Sequence, residues 1–224
     1  MRKVRAAILA AELILGGLLL LCCCLRQQTV QTWADAEAAE GKKVAITFDD
    51  GPHPVCTPDL LQGLSERGVK ATFFVTGERA EQNPKIIQRM QEEGHLIGNH
   101  TYSHLQLTAG NREQFKQELV KTNEVIQKLT GTTVEYVRPP YGCWDKSLEK
   151  ELSMLPVLWT VDPKDWCCQD AGKVAKRILQ KVQDGDIILL HDSFDTSVEA
   201  AFEVIDALSK EGFYFVTVEE ILLD

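Results

Sequence analysis

From Lys43 onward the chain alternates short apolar runs with amphipathic stretches. No other feature narrows the fold as much, because strands separated by a helix's length of chain pair in parallel. Seven runs read as strands: 44–48, 71–75, 96–99, 134–137, 156–160, 186–190 and 213–217. Between them, Val198, Ala201, Phe202, Ile205 and Leu208 follow helical spacing, and Val174, Ile178 and Val182 repeat every fourth residue, so each stretch has one stripe to bury. Asn83-Pro84 and Asn111 mark helix starts; Gly94, Gly131 and Gly212 mark stops. Seven such units in 182 residues fall short of the roughly 250 of a closed eight-unit barrel. The expected fold is α/β, a distorted (β/α)7-type barrel over residues 43–224, with no room for a second domain.

The first segment is of a different kind. Arg2, Lys3 and Arg5 precede twenty residues, Ala6 to Leu25, whose only charge is Glu12. That length crosses a bilayer, and basic residues before it predict a cytoplasmic N-terminus with the rest of the chain outside. Residues 1–25 therefore read as a signal-anchor or a long signal peptide, and the polar stretch 26–42 as a linker. Ala34-Asp35-Ala36 has the form of a cleavage site, although it lies eleven residues beyond the apolar run. The expectation is a domain on the outer face of the cell membrane, or a secreted one if cleavage occurs near Ala36.

Charge excludes one class of partner. The chain carries −9 overall, and residues 1–26 carry +3, which leaves −12 for the remainder. Phosphate backbones and anionic lipid surfaces need clustered Lys and Arg, so nucleic acid is excluded and a neutral or basic substrate is favoured. Cys22 to Cys24 lie in the apolar run. Cys56, Cys143, Cys167 and Cys168 remain, with no CxxC pair to suggest a structural zinc site. The cysteines are ambiguous: a disulfide from Cys143 to Cys167 or Cys168 is one hypothesis, since these loops follow adjacent strands, and free thiols are the other.

The polar residues that need explaining all follow strands. Asp49 and Asp50 follow the first, His100 and His104 the third, Arg138 and Tyr141 the fourth, Asp162, Asp165 and Trp166 the fifth, and His191 and Asp192 the sixth. In a parallel barrel these positions share the C-terminal rim, where active sites assemble. His100 and His104, read as one side of a helical turn, supply two nitrogens. A carboxylate adds an oxygen, which leaves positions open for water and substrate. Zinc leads, while cobalt, manganese or iron would accept the same donors. A metal would absorb the charge of one member of the Asp49-Asp50 pair, and the other could then remove a proton from water. His53 reads as a rim residue and His95 as structural.

The stretches TFDDGP, HTYSH, RPPYG, DPKDW and LLHD, in this order between Thr47 and Asp192, resemble the polysaccharide deacetylase family, also called the NodB-homology domain or carbohydrate esterase family four. The resemblance implies a distorted β/α barrel that hydrolyses N-acetyl groups of sugars with a divalent metal. It implies Asp50, His100 and His104 as metal ligands and Asp49 as base. His191 would be the acid, and Tyr141 would give an amide N–H to the developing oxyanion. Arg138 and Asp165 would hold Asp49 and His191, and Trp166 and Leu189 would line the acetyl pocket. The expected substrate is N-acetylglucosamine polymer of the cell wall, peptidoglycan first. The rivals are chitin oligomers, muramic acid, O-acetyl xylan, and a non-catalytic glycan-binding envelope protein.

Overall fold

The computed structural model describes residues 41–223. The expected apolar span, 1–25, and nearly all of the linker lie outside the described residues. Among the described residues no helix is long and apolar enough to cross a membrane.

Seven parallel strands form one sheet: β1 (Lys42–Asp49), β2 (Thr72–Val75), β3 (Leu96–Asn99), β4 (Tyr136–Val137), β5 (Leu155–Pro156), β6 (Asp186–His191) and β7 (Phe213–Val216). The order runs β5-β4-β3-β2-β1-β6. β6 takes one edge of β1 over Val44–Asp49. The other edge is shared, with β7 beside Lys42–Ala45 and β2 beside Thr47–Asp49. The architecture is a parallel α/β half-barrel. Beyond β5, Val161 bridges to Ile188, which brings that segment to the β6 edge.

Around the sheet lie α1 (Cys56–Glu66), α2 (Gly77–Gln82), α3 (Pro84–Glu92), α4 (Arg112–Thr130), α5 (Ser147–Leu152), α6 (Ala171–Leu179), α7 (Asp195–Lys210) and α8 (Val218–Leu223). α3 and α4 begin after Asn83 and Asn111, where the sequence puts them. α4 ends at Gly131, whose φ of 75° is a left-handed conformation that other residues adopt at a cost.

Side-chain alternation along the strands divides the core in two. Val44, Ile46 and Phe48 of β1 join the large cluster under the helices, together with Phe73, Val75, Ile188 and Leu190. Ala45, Phe74, Tyr136, Val157 and Ile187 form the barrel interior, floored by Val218. By the same alternation Thr47 and Asp49 of β1, and Leu189 and His191 of β6, belong to the interior. The register pairs Asp49 with His191.

Two expected strands are shorter than their apolar runs: of 134–137 only Tyr136–Val137 is strand, and the fifth is cut further. Of the run 156–160 only Pro156 falls in β5, because the next carbonyls serve another partner. Arg138 Nε donates to Val157 O at 3.1 Å and Nη2 to Leu158 O at 3.2 Å. A buried guanidinium needs acceptors on every side, and here it takes them from a ladder.

Gly98 of β3 lies against the interior ring of Phe74. A Cβ at Gly98 would come within 2.5 Å of Phe74 Cδ1 and 3.3 Å of Tyr136 O. The Gly98→Ala variant should therefore lose ~1–3 kcal/mol through overpacking. Urea unfolding would register this as a lower midpoint at unchanged slope. An unchanged midpoint would mean that Phe74 relaxes freely.

Candidate active site

The interior face of β1 carries Thr47 and then Asp49, both buried. Arg138, at the end of β4, is fully enclosed beside them. Its Nη1 donates to Asp49 Oδ1 at 2.8 Å and to Thr47 Oγ1 at 2.6 Å, and Thr47 Oγ1 in turn donates to Ile188 O at 2.6 Å. The guanidinium lies 4.2 Å from the Phe74 ring centroid. Burial pulls the Arg138 pKa down, and the Asp49 carboxylate opposes that.

Asp50 leaves the strand with φ 71°, and the left-handed turn carries its side chain to the rim. Its Oδ1 lies 3.3 Å from His100 Nε2 and 3.4 Å from His104 Nε2. The tautomer of His100 can be argued from its partner. Nδ1 lies 2.6 Å from Arg138 O, a carbonyl that only accepts, so Nδ1 carries the proton and Nε2 turns a lone pair toward Asp50. Asp50 Oδ1 is buried without a hydrogen-bond partner. Two acceptors facing each other in a buried site repel unless a cation lies between them. The three ligand atoms are within 4.8 Å of one another, so the donor set fits a divalent metal.

Ionisation agrees with that fit. Burial pushes the Asp50 pKa up, but the neighbouring imidazoles, His100 first and then His104 and His191, bring it down to about 2 whenever they carry a second proton. Burial and then the charge of His100 lower the pKa of His104, which favours the neutral imidazole a metal requires.

The expected helical turn at His100–His104 is absent. The segment is a loop after β3, since Thr101 and His104 are left-handed at φ 62° and 61°. The imidazoles still converge, with ring centroids 4.9 Å apart, and the His104 ring meets Tyr141 edge-on at 5.1 Å.

His191 closes the site from β6. Asp165 Oδ2 accepts its backbone N–H at 2.8 Å, and Asp165 Oδ1 lies 2.9 Å from Nδ1, which leaves Nε2 as the working nitrogen. Ser197 Oγ donates to Asp165 Oδ2 at 2.6 Å and fixes that carboxylate. Burial alone would lower the His191 pKa. The Asp165 hydrogen bond and charge, with Asp49 and Asp50, more than reverse this and raise it to about 9. The arrangement thus joins three side chains that could hold a metal, an arginine-held carboxylate and an imidazole whose environment favours the protonated form, groups suited to hydrolysing an unreactive carbonyl compound.

Tyr141 and Trp166 stand exposed at the mouth, at 66% and 59%, while Leu189 is buried. Tyr141 is left-handed at φ 59°. Asp162 caps its own turn by accepting Lys164 N at 2.7 Å. His53 accepts Cys56 N through Nδ1 at 3.1 Å and so starts α1, and His95 accepts Ala71 N at 3.1 Å. Cys143, Cys167 and Cys168 are free, so of the two arrangements left open the structure has the thiols; Cys143 Sγ receives Gln106 Nε2 at 3.4 Å.

Sequence reasoning missed several supporting residues. Asp192 was placed on the rim after the sixth strand, with no role given. It is fully buried behind Gly51 and accepts Thr57 Oγ1 at 2.6 Å, and burial raises its pKa to about 7. Thr47, two residues before Asp49 on a strand, could have been found from the period of two. Ser197 and Thr57 carry no signal apart from their surroundings.

The family model described as polysaccharide deacetylase matches residues 36–158. The peptidoglycan-N-acetylglucosamine deacetylase PgdA of Listeria monocytogenes is 37% identical over 185 residues, covering 83% of this chain and 40% of that protein. The chain thus spans about two fifths of that relative. Among solved structures, peptidoglycan deacetylase PdaC from Bacillus subtilis superposes with a TM-score of 0.78 at 37% identity, covering 81% of this chain and 90% of that one. A family 4 acetyl xylan esterase from Clostridium thermocellum, in complex with a cobalt ion, gives 0.76 at 37% identity, covering 81% and 91%.

The raised pKa of His191 fixes the sign of a pH effect. A proton bound more tightly in the folded chain stabilises it fully below pH 6.5, and that contribution disappears as pH rises through about 9. In metal-free protein, wild type should lose ~3 kcal/mol relative to His191→Gln between about pH 6 and about pH 9.5. Denaturant unfolding of both at each pH measures the difference, and a gap that does not close would contradict the His191–Asp165 pairing.

Proposed function

The chain belongs to the polysaccharide deacetylase family, and from that premise we propose that it is a metal-dependent hydrolase that removes N-acetyl groups from N-acetylglucosamine-containing glycan of the cell wall, peptidoglycan first. The observation that carries the reading is the Asp50–His100–His104 triad, whose facing lone pairs need a cation, with Asp49 and His191 paired on the adjoining interior face.

Asp50, His100 and His104 hold the cation in this reading, with zinc the leading candidate over cobalt, manganese or iron. Once bound it supplies Lewis acidity toward an acetyl oxygen and makes nearby water more acidic. Asp49, fixed through Oδ1 by Arg138, takes a proton from the attacking water through Oδ2. The backbone N–H of Tyr141 donates to the oxygen that gains charge. His191, oriented by Asp165, gives its Nε2 proton to the leaving nitrogen as the carbon–nitrogen bond breaks, so that acetate and a free amine remain. Trp166 and Leu189 flank the acetyl methyl.

The reading extends to location. Residues 1–25 act as a signal-anchor, or as a signal peptide if cleavage occurs near Ala36, and 26–42 as a linker that holds the 43–224 domain against the wall from outside. The length of the apolar run and the basic residues before it support this. An acidic domain also suits a product that gains positive charge with each acetyl group removed.

Acetate release from peptidoglycan, chitin oligomers and acetylated xylan tests the reading. Release from peptidoglycan should vanish on chelation and return with zinc. Asp49→Asn should lower kcat by about 10²–10⁴-fold while zinc content stays at the wild-type level. Substantial turnover by that variant would remove Asp49 as base, and release from xylan alone would replace the amidase with an esterase.

A further inference from the structure

We propose that Glu118, on α4, is a positioning residue that clamps the loop carrying His104 and thereby sets the affinity of the Asp50–His100–His104 triad for its cation; the inference rests on the metal reading above.

The loop needs a clamp because its own backbone does not favour its shape. Thr101 and His104, both non-glycine, are left-handed at φ 62° and 61°, a conformation that persists only where neighbours enforce it. On one side α2 enforces it. Gly77 N donates to Thr101 O at 3.0 Å and Glu78 N to Tyr102 O at 3.0 Å. Asn99 accepts Thr101 N at 2.8 Å and is itself tied to α4, donating to Leu119 O at 2.9 Å and Asn123 Oδ1 at 2.7 Å.

On the other side a single carboxylate takes three donors. Glu118 Oε2 accepts Tyr102 N at 3.1 Å and Ser103 N at 2.9 Å, and Oε1 accepts Ser103 Oγ at 2.6 Å. Both oxygens are engaged, and the residues they hold lead directly into His104. Glu118 in turn sits on a rigid element, since Phe115 and Leu119 of the same helix are fully buried in the core. Partners outside a metal's own ligands that fix their orientation commonly change affinity by about 10–100-fold. In sequence, Glu118 is one of many helix charges and looks like a solvated one.

Zinc affinity of the full chain, measured by chelator competition, tests the clamp apart from catalysis. Glu118→Ala should weaken zinc binding at least about tenfold, lower the metal-free melting point only slightly, and regain near wild-type turnover at saturating zinc. Glu118→Gln, which keeps one acceptor oxygen, should fall between the two. Because Ser103 acts through Glu118, Ser103→Ala should weaken binding in the wild-type background and add little to Glu118→Ala. Unchanged zinc affinity in both Glu118 variants, or full additivity with Ser103→Ala, would overturn the clamp. A wild-type chain that binds no zinc would overturn the metal reading itself.

Discussion

The guanidinium of Arg138 lies where water does not reach, so its charge and its N–H donors must all be satisfied by protein. Much of the site follows from that requirement. Asp49 and Thr47 must both lie on the interior face of β1 to meet Nη1, and the chain after β5 must turn Val157 O and Leu158 O inward to meet Nε and Nη2. The backbone of the same residue serves a second purpose, since Arg138 O holds the Nδ1 proton of His100 and so leaves Nε2 free to face Asp50. One residue thus holds the Asp49 carboxylate through its side chain and sets the tautomer of His100 through its backbone. Removing the guanidinium alone would leave Asp49 buried without its counter-charge, a defect that typically costs ~3–5 kcal/mol.

Strain in the fold is concentrated at the same rim. Of the six non-glycine residues with positive φ among the described residues, Asp50, Thr101, His104, Tyr141 and Lys164 all lie in loops that follow strands toward the site, and only Ser153 lies elsewhere. Such conformations persist where packing and hydrogen bonds over-determine them. Each redirects a group that an extended strand or a regular turn would have aimed elsewhere: the Asp50 carboxylate, the His104 ring, the Tyr141 amide, and, through Lys164, the short turn carrying Asp165 and Trp166. The rigid parallel sheet fixes the positions of the loops, and the left-handed residues fix their final directions.

This division explains how much was legible in the sequence. Strands and helices come from hydrophobic period, which local sequence carries, so β1, β2, β3, β6 and β7 and the starts of α3 and α4 fall close to where the pattern puts them. The rim assignment follows from parallel topology alone, and for that reason residues scattered from Asp49 to His191 could be gathered into one site before any distance was known. The helical reading of HTYSH failed because spacing reports separation along the chain and not dihedral angle, and the loop's shape is imposed by α2 and α4. Strand β5 shrank for a tertiary reason, the demand of Arg138. The supporting shell of Ser197, Thr57 and Asp192 was illegible because a buried polar residue is recognised by its neighbours, and those neighbours are distant in sequence.

Adjacent carboxylates at the end of a buried strand would be unstable if both met the same surroundings. They do not, because each is met from a different side. Asp49 continues the interior alternation and reaches Arg138, while the left-handed turn at Asp50 carries the second carboxylate out to two imidazoles, which with His191 bring its pKa down to about 2 despite burial whenever they carry a second proton. A third carboxylate, Asp192, lies behind the turn with Thr57 as hydrogen-bond partner, and there burial prevails and lifts its pKa to about 7. Three acids within one rim therefore meet three different surroundings, a guanidinium, a pair of imidazoles and an enclosed pocket with one hydroxyl. The turn that separates them must be thin: a Cβ on Gly51 would sit 2.1 Å from Asp192 Oδ2. Any side chain there would push Asp192 away or move Asp50 off the imidazoles, so the glycine of TFDDGP is required by the packing of carboxylates on both of its sides.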